Sequence, residues 1–195
     1  MNRKALIALI VAAAAVIAAV VVGANIAAHV PTASNGSTTQ TASPGTASSL
    51  LPVKTNPIQN PSTQPGLSIE NAMAENNVDP STKQAIGDRL QITLKNSSTK
   101  TLTGFEVFYT MTDATTHASE SYYLPLTDLT LPAGATTTVF FDNEKGPHHY
   151  AENRYSIYRS STNKVDFAIQ VSAKDAAIAK GSATKGAGTG EVVGG

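Results

Sequence analysis

Leu90-Gln91-Ile92-Thr93-Leu94-Lys95-Asn96 and Phe105-Glu106-Val107-Phe108-Tyr109-Thr110-Met111-Thr112-Asp113 decide the fold. In each stretch apolar and polar residues alternate with period two, which on an extended chain sends the two sets to opposite faces. Asn96-Ser97-Ser98 supplies turn chemistry between them. The rhythm continues down the chain. Glu120 to Leu126 carries Tyr122, Tyr123 and Leu124, and Leu129 and Leu131 lead into the turn Pro132-Ala133-Gly134. Thr136 to Phe141 is β-branched and aromatic, Tyr155 to Arg159 reads the same way, and Val165, Phe167, Ile169 and Val171 alternate most sharply of all. An earlier element over Leu67 to Ala74 reads either as a strand or, with Ser68 as cap, as a short helix over Ile69 to Glu75. About seven or eight short strands at intervals near ten residues predict an all-β, single antiparallel sandwich over residues 67–180. Its expected core is the inward set of these strands, including Ile92, Tyr109, Phe141, Ile157 and Phe167.

Three segments carry a family resemblance: LQITLKNSS, GFEVFYTMTD and LTLPAGATTTVFFD. A strand, an asparagine turn, an aromatic-rich strand ending in Asp, and a proline-glycine turn before a Phe-containing strand resemble small bacterial immunoglobulin-like domains, among them the FxLYD-type modules. The resemblance covers roughly Arg89 to Asp142. It implies an Ig-like sandwich outside the cytoplasm, tethered by one N-terminal helix.

The residues before the strands point to the same address. From Ala5 to Ala24 every residue is apolar apart from Gly23, and ten are Leu, Ile or Val. As a helix this run is about 30 Å long, the thickness of a bilayer's hydrocarbon core. Arg3 and Lys4 precede it and the next charge is Lys54. The positive-inside rule therefore predicts a single-pass protein with a cytoplasmic N-terminus, residues 5–24 in the lipid bilayer and the C-terminal domain extracytoplasmic. Residues 1–28 are read as this anchor. The competing reading is a signal peptide cleaved after Val22-Gly23-Ala24 or Ile26-Ala27-Ala28, although signal cores are usually shorter. Residues 29–66, rich in Pro, Ser, Thr, Gly, Asn and Gln, lack the apolar side chains that offset backbone ordering and are expected to form a disordered linker. Residues 181–195, with their many glycines, are expected to be a disordered tail. Asn35-Gly36-Ser37 and Asn96-Ser97-Ser98 match the N-glycosylation pattern.

Composition excludes several chemistries. The 195 residues carry 14 basic and 14 acidic side chains, without the basic excess of a nucleic-acid binder. With no cysteine there are no disulfides, thiolate metal sites or thiol nucleophiles. No Gly-x-Ser-x-Gly elbow marks a serine hydrolase. No cofactor, and no enzyme activity, is expected.

Two groups of residues remain. Asp142, Glu144, His148, His149 and Glu152 place two imidazoles and three carboxylates within eleven residues. That set suits zinc or another divalent cation, provided that the segment is a loop, because adjacent strand residues point apart. No His-x-x-x-His spacing supports it, so the segment is read as a solvated connection with no metal expected; a metal site is the alternative, and Asp113 with Asp142 and Glu144 offers an oxygen-rich calcium variant of it. The second group comes from the adjacent aromatic pairs Phe108-Tyr109, Tyr122-Tyr123 and Phe140-Phe141, which place one ring on each face of a sheet. Phe108, Tyr123, Phe140 and Tyr158 are the candidates for an outer binding face. The expected role is non-enzymatic binding of an unidentified envelope protein or polymer. A surface filament subunit and a metal-binding exported domain built on the His148/His149 loop are the alternatives.

Overall fold

A computed structural model of the protein describes residues 50–188 and 190. The expected anchor at 5–24, the first part of the expected linker (29–49), Asn35 and residues 191–195 lie outside the described residues. Among the described residues no helix is long and apolar enough to cross a membrane.

Among the described residues eight strands and one helical turn follow one another: β1 (Leu67–Ala74), β2 (Leu90–Asn96), β3 (Phe105–Asp113), β4 (Ser119–Leu126), β5 (Thr136–Phe141), β6 (His149–Tyr150), α1 (Ile157–Ser160), β7 (Val165–Ala173) and β8 (Ala176–Lys185). They form two four-stranded sheets, β1-β2-β5-β6 and β4-β3-β7-β8. All neighbours pair antiparallel except β5 and β6, which run parallel. The protein is all-β, as its alternation predicts. Along β3 burial alternates without a break, and Phe105, Val107, Tyr109 and Met111 all point inward. Inward residues of both sheets share one core. There the Tyr109 ring lies 5.6 Å from Tyr122 on β4 and, edge-on, 5.7 Å from Phe141 on β5 of the other sheet.

The ambiguous first element is a strand. Pairing with β2 from Leu67↔Asn96 to Ala74↔Leu90 supplies ladder hydrogen bonds that local propensity does not register. Tyr155 to Arg159, in contrast, is not a strand: Tyr155 lies in a turn and Ser156 leads into the helical turn α1. Ser156 O accepts hydrogen bonds from Arg159 N (3.1 Å), Ser160 N (3.0 Å) and Ser160 Oγ (2.9 Å). The turn buries the consecutive residues Tyr158 and Arg159 together, whereas a strand would send the two to opposite faces. Ile157 is only half-buried, at the margin of the core.

Both expected boundaries of the domain move outward. At the C-terminal end residues 181–185 belong to β8, not to a loose tail. Gly181 faces Ile69 of β1, and a Cβ at this position would stand 3.0 Å from Ile69 Cγ2. The small residues of β8 thus permit a close approach to β1 across the gap between the sheets.

At the N-terminal end residues 50–66, expected to be linker, form a strap bound to the sheet β4-β3-β7-β8. Val53 N donates to Ser121 O of β4 (2.8 Å), and Ala177 N of β8 donates to Gln64 O (2.7 Å). Between these ends lie two Asn-Pro dipeptides. Each asparagine carbonyl accepts from the backbone N–H two residues on, Ile58 N to Asn56 Oδ1 (3.0 Å) and Ser62 N to Asn60 Oδ1 (2.9 Å), the local turn that asparagine favours. Their amide groups face the sheet. Asn56 Nδ2 donates to Gln170 Oε1 (3.2 Å), while Asn60 Nδ2 lies within reach of Ser172 Oγ (2.8 Å), Ala176 O (2.9 Å) and Ala173 O (3.1 Å). The β7–β8 pairing shifts register between Val171 and Ala173, which leaves these acceptors for Asn60. Ile58, between the two anchors, is buried. Tertiary hydrogen bonds and this apolar contact order a segment whose composition alone would leave it loose.

Asn96 is no glycan acceptor in this fold. It is fully buried, its Nδ2 reaching Lys100 O (2.7 Å), Leu131 O (2.9 Å) and Pro132 O (3.0 Å) and its Oδ1 accepting from Ser98 N and Ser98 Oγ. The asparagine turn of the sequence is a buried polar staple between the β2–β3 and β4–β5 connections.

Candidate functional site

The outer face of β1-β2-β5-β6 gathers the chemistry. Strands β2 and β5 pair with Gln91 opposite Phe140, and the parallel pairing of β5 with β6 sets His149 beside Phe140. The imidazole stacks on the phenyl ring, with centroids 5.0 Å apart and planes 20° from parallel. Arg89, just before β2, carries its guanidinium 5.0 Å from the centre of the same ring. It also donates from Nε to Glu75 Oε1 (3.2 Å), and Gln91 Nε2 bonds to that carboxylate oxygen as well.

The loop after β5 folds back onto this column. Asp142 N and Asn143 N both donate to Tyr150 O (3.2 and 3.3 Å), closing a turn in which Gly146 adopts φ +132°, a conformation open to glycine. His149 Nδ1 then lies 3.0 Å from both Asp142 carboxylate oxygens and 3.8 Å from Glu144 Oε2. One ligand atom from each of Asp142, Glu144 and His149 lies within 4.8 Å of the others. A cavity of about 230 Å³ adjoins His149, between the Thr127–Asp128 turn and residues 146–150.

Two of the five sequence candidates leave this group. His148 has φ +67°, which breaks strand alternation and turns its ring away, so that Nδ1 meets Thr137 Oγ1 at 3.1 Å. Glu152 is buried and bound to Arg159, whose Nε donates to its Oε1 at 2.7 Å and whose second terminal nitrogen also bonds there. Removing one member of such a pair would leave a charge buried without its partner. Asp113 does not join the group either. It accepts hydrogen bonds from Ser161 Oγ (2.6 Å), Thr115 N and Thr116 N (both 2.8 Å) and Asn163 Nδ2 (3.0 Å). The Ser161 hydroxyl above all, followed by the Thr116 N–H, holds its carboxyl well below the usual carboxylate range. This is a structural staple between the β3–β4 turn and the approach to β7.

The aromatic candidates divide between two faces. Phe108 and Tyr123, opposite each other on β3 and β4, are half-buried on the outer side of their sheet. The strap anchors on Gln170, the β7 partner of Phe108, and on Ser121, two residues from Tyr123. Tyr123 donates its hydroxyl to Glu106, and that bond, with some burial, pushes its pKa up to about 12. Phe140 is half-buried beneath Arg89 and His149 on the other sheet. Tyr158 belongs to neither face. It is buried at 2% exposure, edge-on to Phe167 at 5.2 Å, and its hydroxyl donates to Glu75 O (3.0 Å). Burial pushes its phenol far above the ordinary range.

Sequence reasoning missed Arg89, Glu75 and Gln91. The signal was the register: once β2 is paired with β5, Gln91 stands opposite Phe140, and Arg89 follows on the same face. No protein-family model matches the chain, and no curated protein matches it.

Proposed function

We propose that the chain is an exported, membrane-tethered Ig-like sandwich, akin to the FxLYD-type modules, that works in the cell envelope by contact and not by catalysis. The observation that carries this reading is the uncharged apolar run 5–24 behind Arg3 and Lys4, followed by no further charge until Lys54. The strand order supports the Ig-like part. β5 returns beside β2 and β7 returns beside β3, the crossovers of a sandwich whose sheets are ordered A-B-E and C-F-G. On this reading β4 is an added strand beside C and β6 a two-residue addition beside E. The strap supports the tethered part: chain arriving from the N-terminal side meets the domain at Val53, beside Ser121, and is held there by Asn56 and Asn60.

The absence of cysteine allows a direct test of the address. Tyr155 is 67% exposed, so Tyr155→Cys in the full chain introduces a single accessible thiol. A membrane-impermeant maleimide should label it in intact cells, and the labelled protein should stay with the membranes through alkaline carbonate. Labelling only after lysis would overturn the reading.

A further inference from the structure

We propose that Asp142, Glu144 and His149 bind one divalent first-row transition cation, with Zn²⁺ the best match, through His149 Nδ1 and one oxygen of each carboxylate. This inference concerns the folded domain alone and does not depend on export.

The spacing fits a coordination shell. Donors about 2.0–2.2 Å from a zinc ion, subtending about 90° to 130°, stand roughly 3.0–3.9 Å from one another. His149 Nδ1 lies 3.0 Å from the Asp142 oxygens and 3.8 Å from Glu144 Oε2, both inside that window. The widest separation within the group, at most 4.8 Å, closes by a small swing of Glu144, whose side chain is 64% exposed and free to move.

Charge points the same way. Nδ1 carries at most one proton, yet three carboxylate oxygens face it. A simple Asp–His hydrogen bond uses one of them and gives Glu144 no role. Arg89 stands 4.0 Å from Asp142 Oδ2 and shares its charge with Glu75, so it offsets only part of the negative charge. A dication between the three donors answers both carboxylates at once.

The imidazole is also held as a ligand should be. Stacking on Phe140 fixes the ring plane, and pairing with β5 fixes the backbone beneath it. One nitrogen and two carboxylates, with no thiolate in the chain, suit borderline cations more than soft Cu(I). Three protein ligands leave a fourth position for water.

The test uses the full chain purified in detergent, stripped with EDTA, and titrated with Zn²⁺ by calorimetry, with retained metal measured after gel filtration. About one Zn²⁺ per chain should bind saturably, and Glu144→Gln and His149→Gln should each weaken binding by about tenfold or more. His148→Gln should bind as the parent does. Because the Glu144 side chain lies largely in solvent, Glu144→Gln should leave the far-ultraviolet circular dichroism unchanged, which separates ligand loss from misfolding. Absence of saturable binding, undiminished binding in folded Glu144→Gln, or an equal loss in His148→Gln would each overturn the site.

Discussion

Phe108 on β3 and Phe140 on β5 pose the same physical problem and meet different solutions. Each follows the alternation of its strand outward, while its neighbour, Tyr109 or Phe141, fills the core. On the sheet carrying Phe108 the chain's own strap crosses the face, with Ile58 buried between two asparagine anchors. On the sheet carrying Phe140 no strap arrives among the described residues, and the ring is covered by side chains that are themselves polar: a guanidinium, an imidazole and, through them, three carboxylates. An outward aromatic ring covered by main chain becomes part of the fold. One covered by charged and polar side chains becomes a surface on which ions and partners compete.

That contrast has energetic consequences. If the strap is part of the fold, Ile58→Ala should destabilise the protein by about 2–4 kcal/mol, the range for deleting most of a buried aliphatic side chain. Denaturant unfolding measures the loss. Hydrogen exchange should show the Ala177 N–H, bonded to Gln64 O, losing protection in the same variant. A cost below about 0.5 kcal/mol, the scale of ordinary surface substitutions, would make the strap a superficial attachment and erase the distinction.

Arg89→Ala makes the matching cut on the other face. Its cation–π contact with Phe140 and its partly exposed pairing with Glu75 should together be worth no more than about 1 kcal/mol, because water and salt screen both. A loss above about 2 kcal/mol would mean that this face is as closed as the strapped one.

Strands β2 and β3, β5 from Thr138 and β7 as far as Val171 were legible because each alternates a buried residue with a less buried one. What escaped was ordered by distant partners. The strap reads as linker because its two Asn-Pro turns carry no apolar periodicity, and the residues that hold it, Gln170 and Ser172, lie more than a hundred positions away. Gly181 reads as the start of a tail because glycine weakens an isolated strand, whereas here its missing side chain admits Ile69. Tyr158 reads as outward from strand parity and is inward because α1 is a helical turn. The metal-ligand candidates were legible as a composition and not as a set. A positive φ at His148 and the buried Arg159 beside Glu152 removed two of five, and neither appears in the spacing of residues.

Tyr123 offers the finest probe of the strapped face. Its hydroxyl donates to Glu106, and that bond raises the phenol from its ordinary value near 10 to about 12. Because the folded value lies above the unfolded one, the hydrogen bond contributes its full stabilisation below about pH 10 and loses it progressively as pH rises towards 12. Subtracting the ultraviolet titration of Tyr123→Phe from that of the parent should isolate one ionisation near pH 12. The variant's stability should also fall less steeply than the parent's between pH 10 and 12. The stability effect should be small, since the ring is only partly shielded from water, but its sign is fixed. An isolated ionisation near pH 10 would mean that the hydroxyl faces solvent and not Glu106, and the strapped face would then be open at its β4 margin, much as the face carrying Phe140 is open.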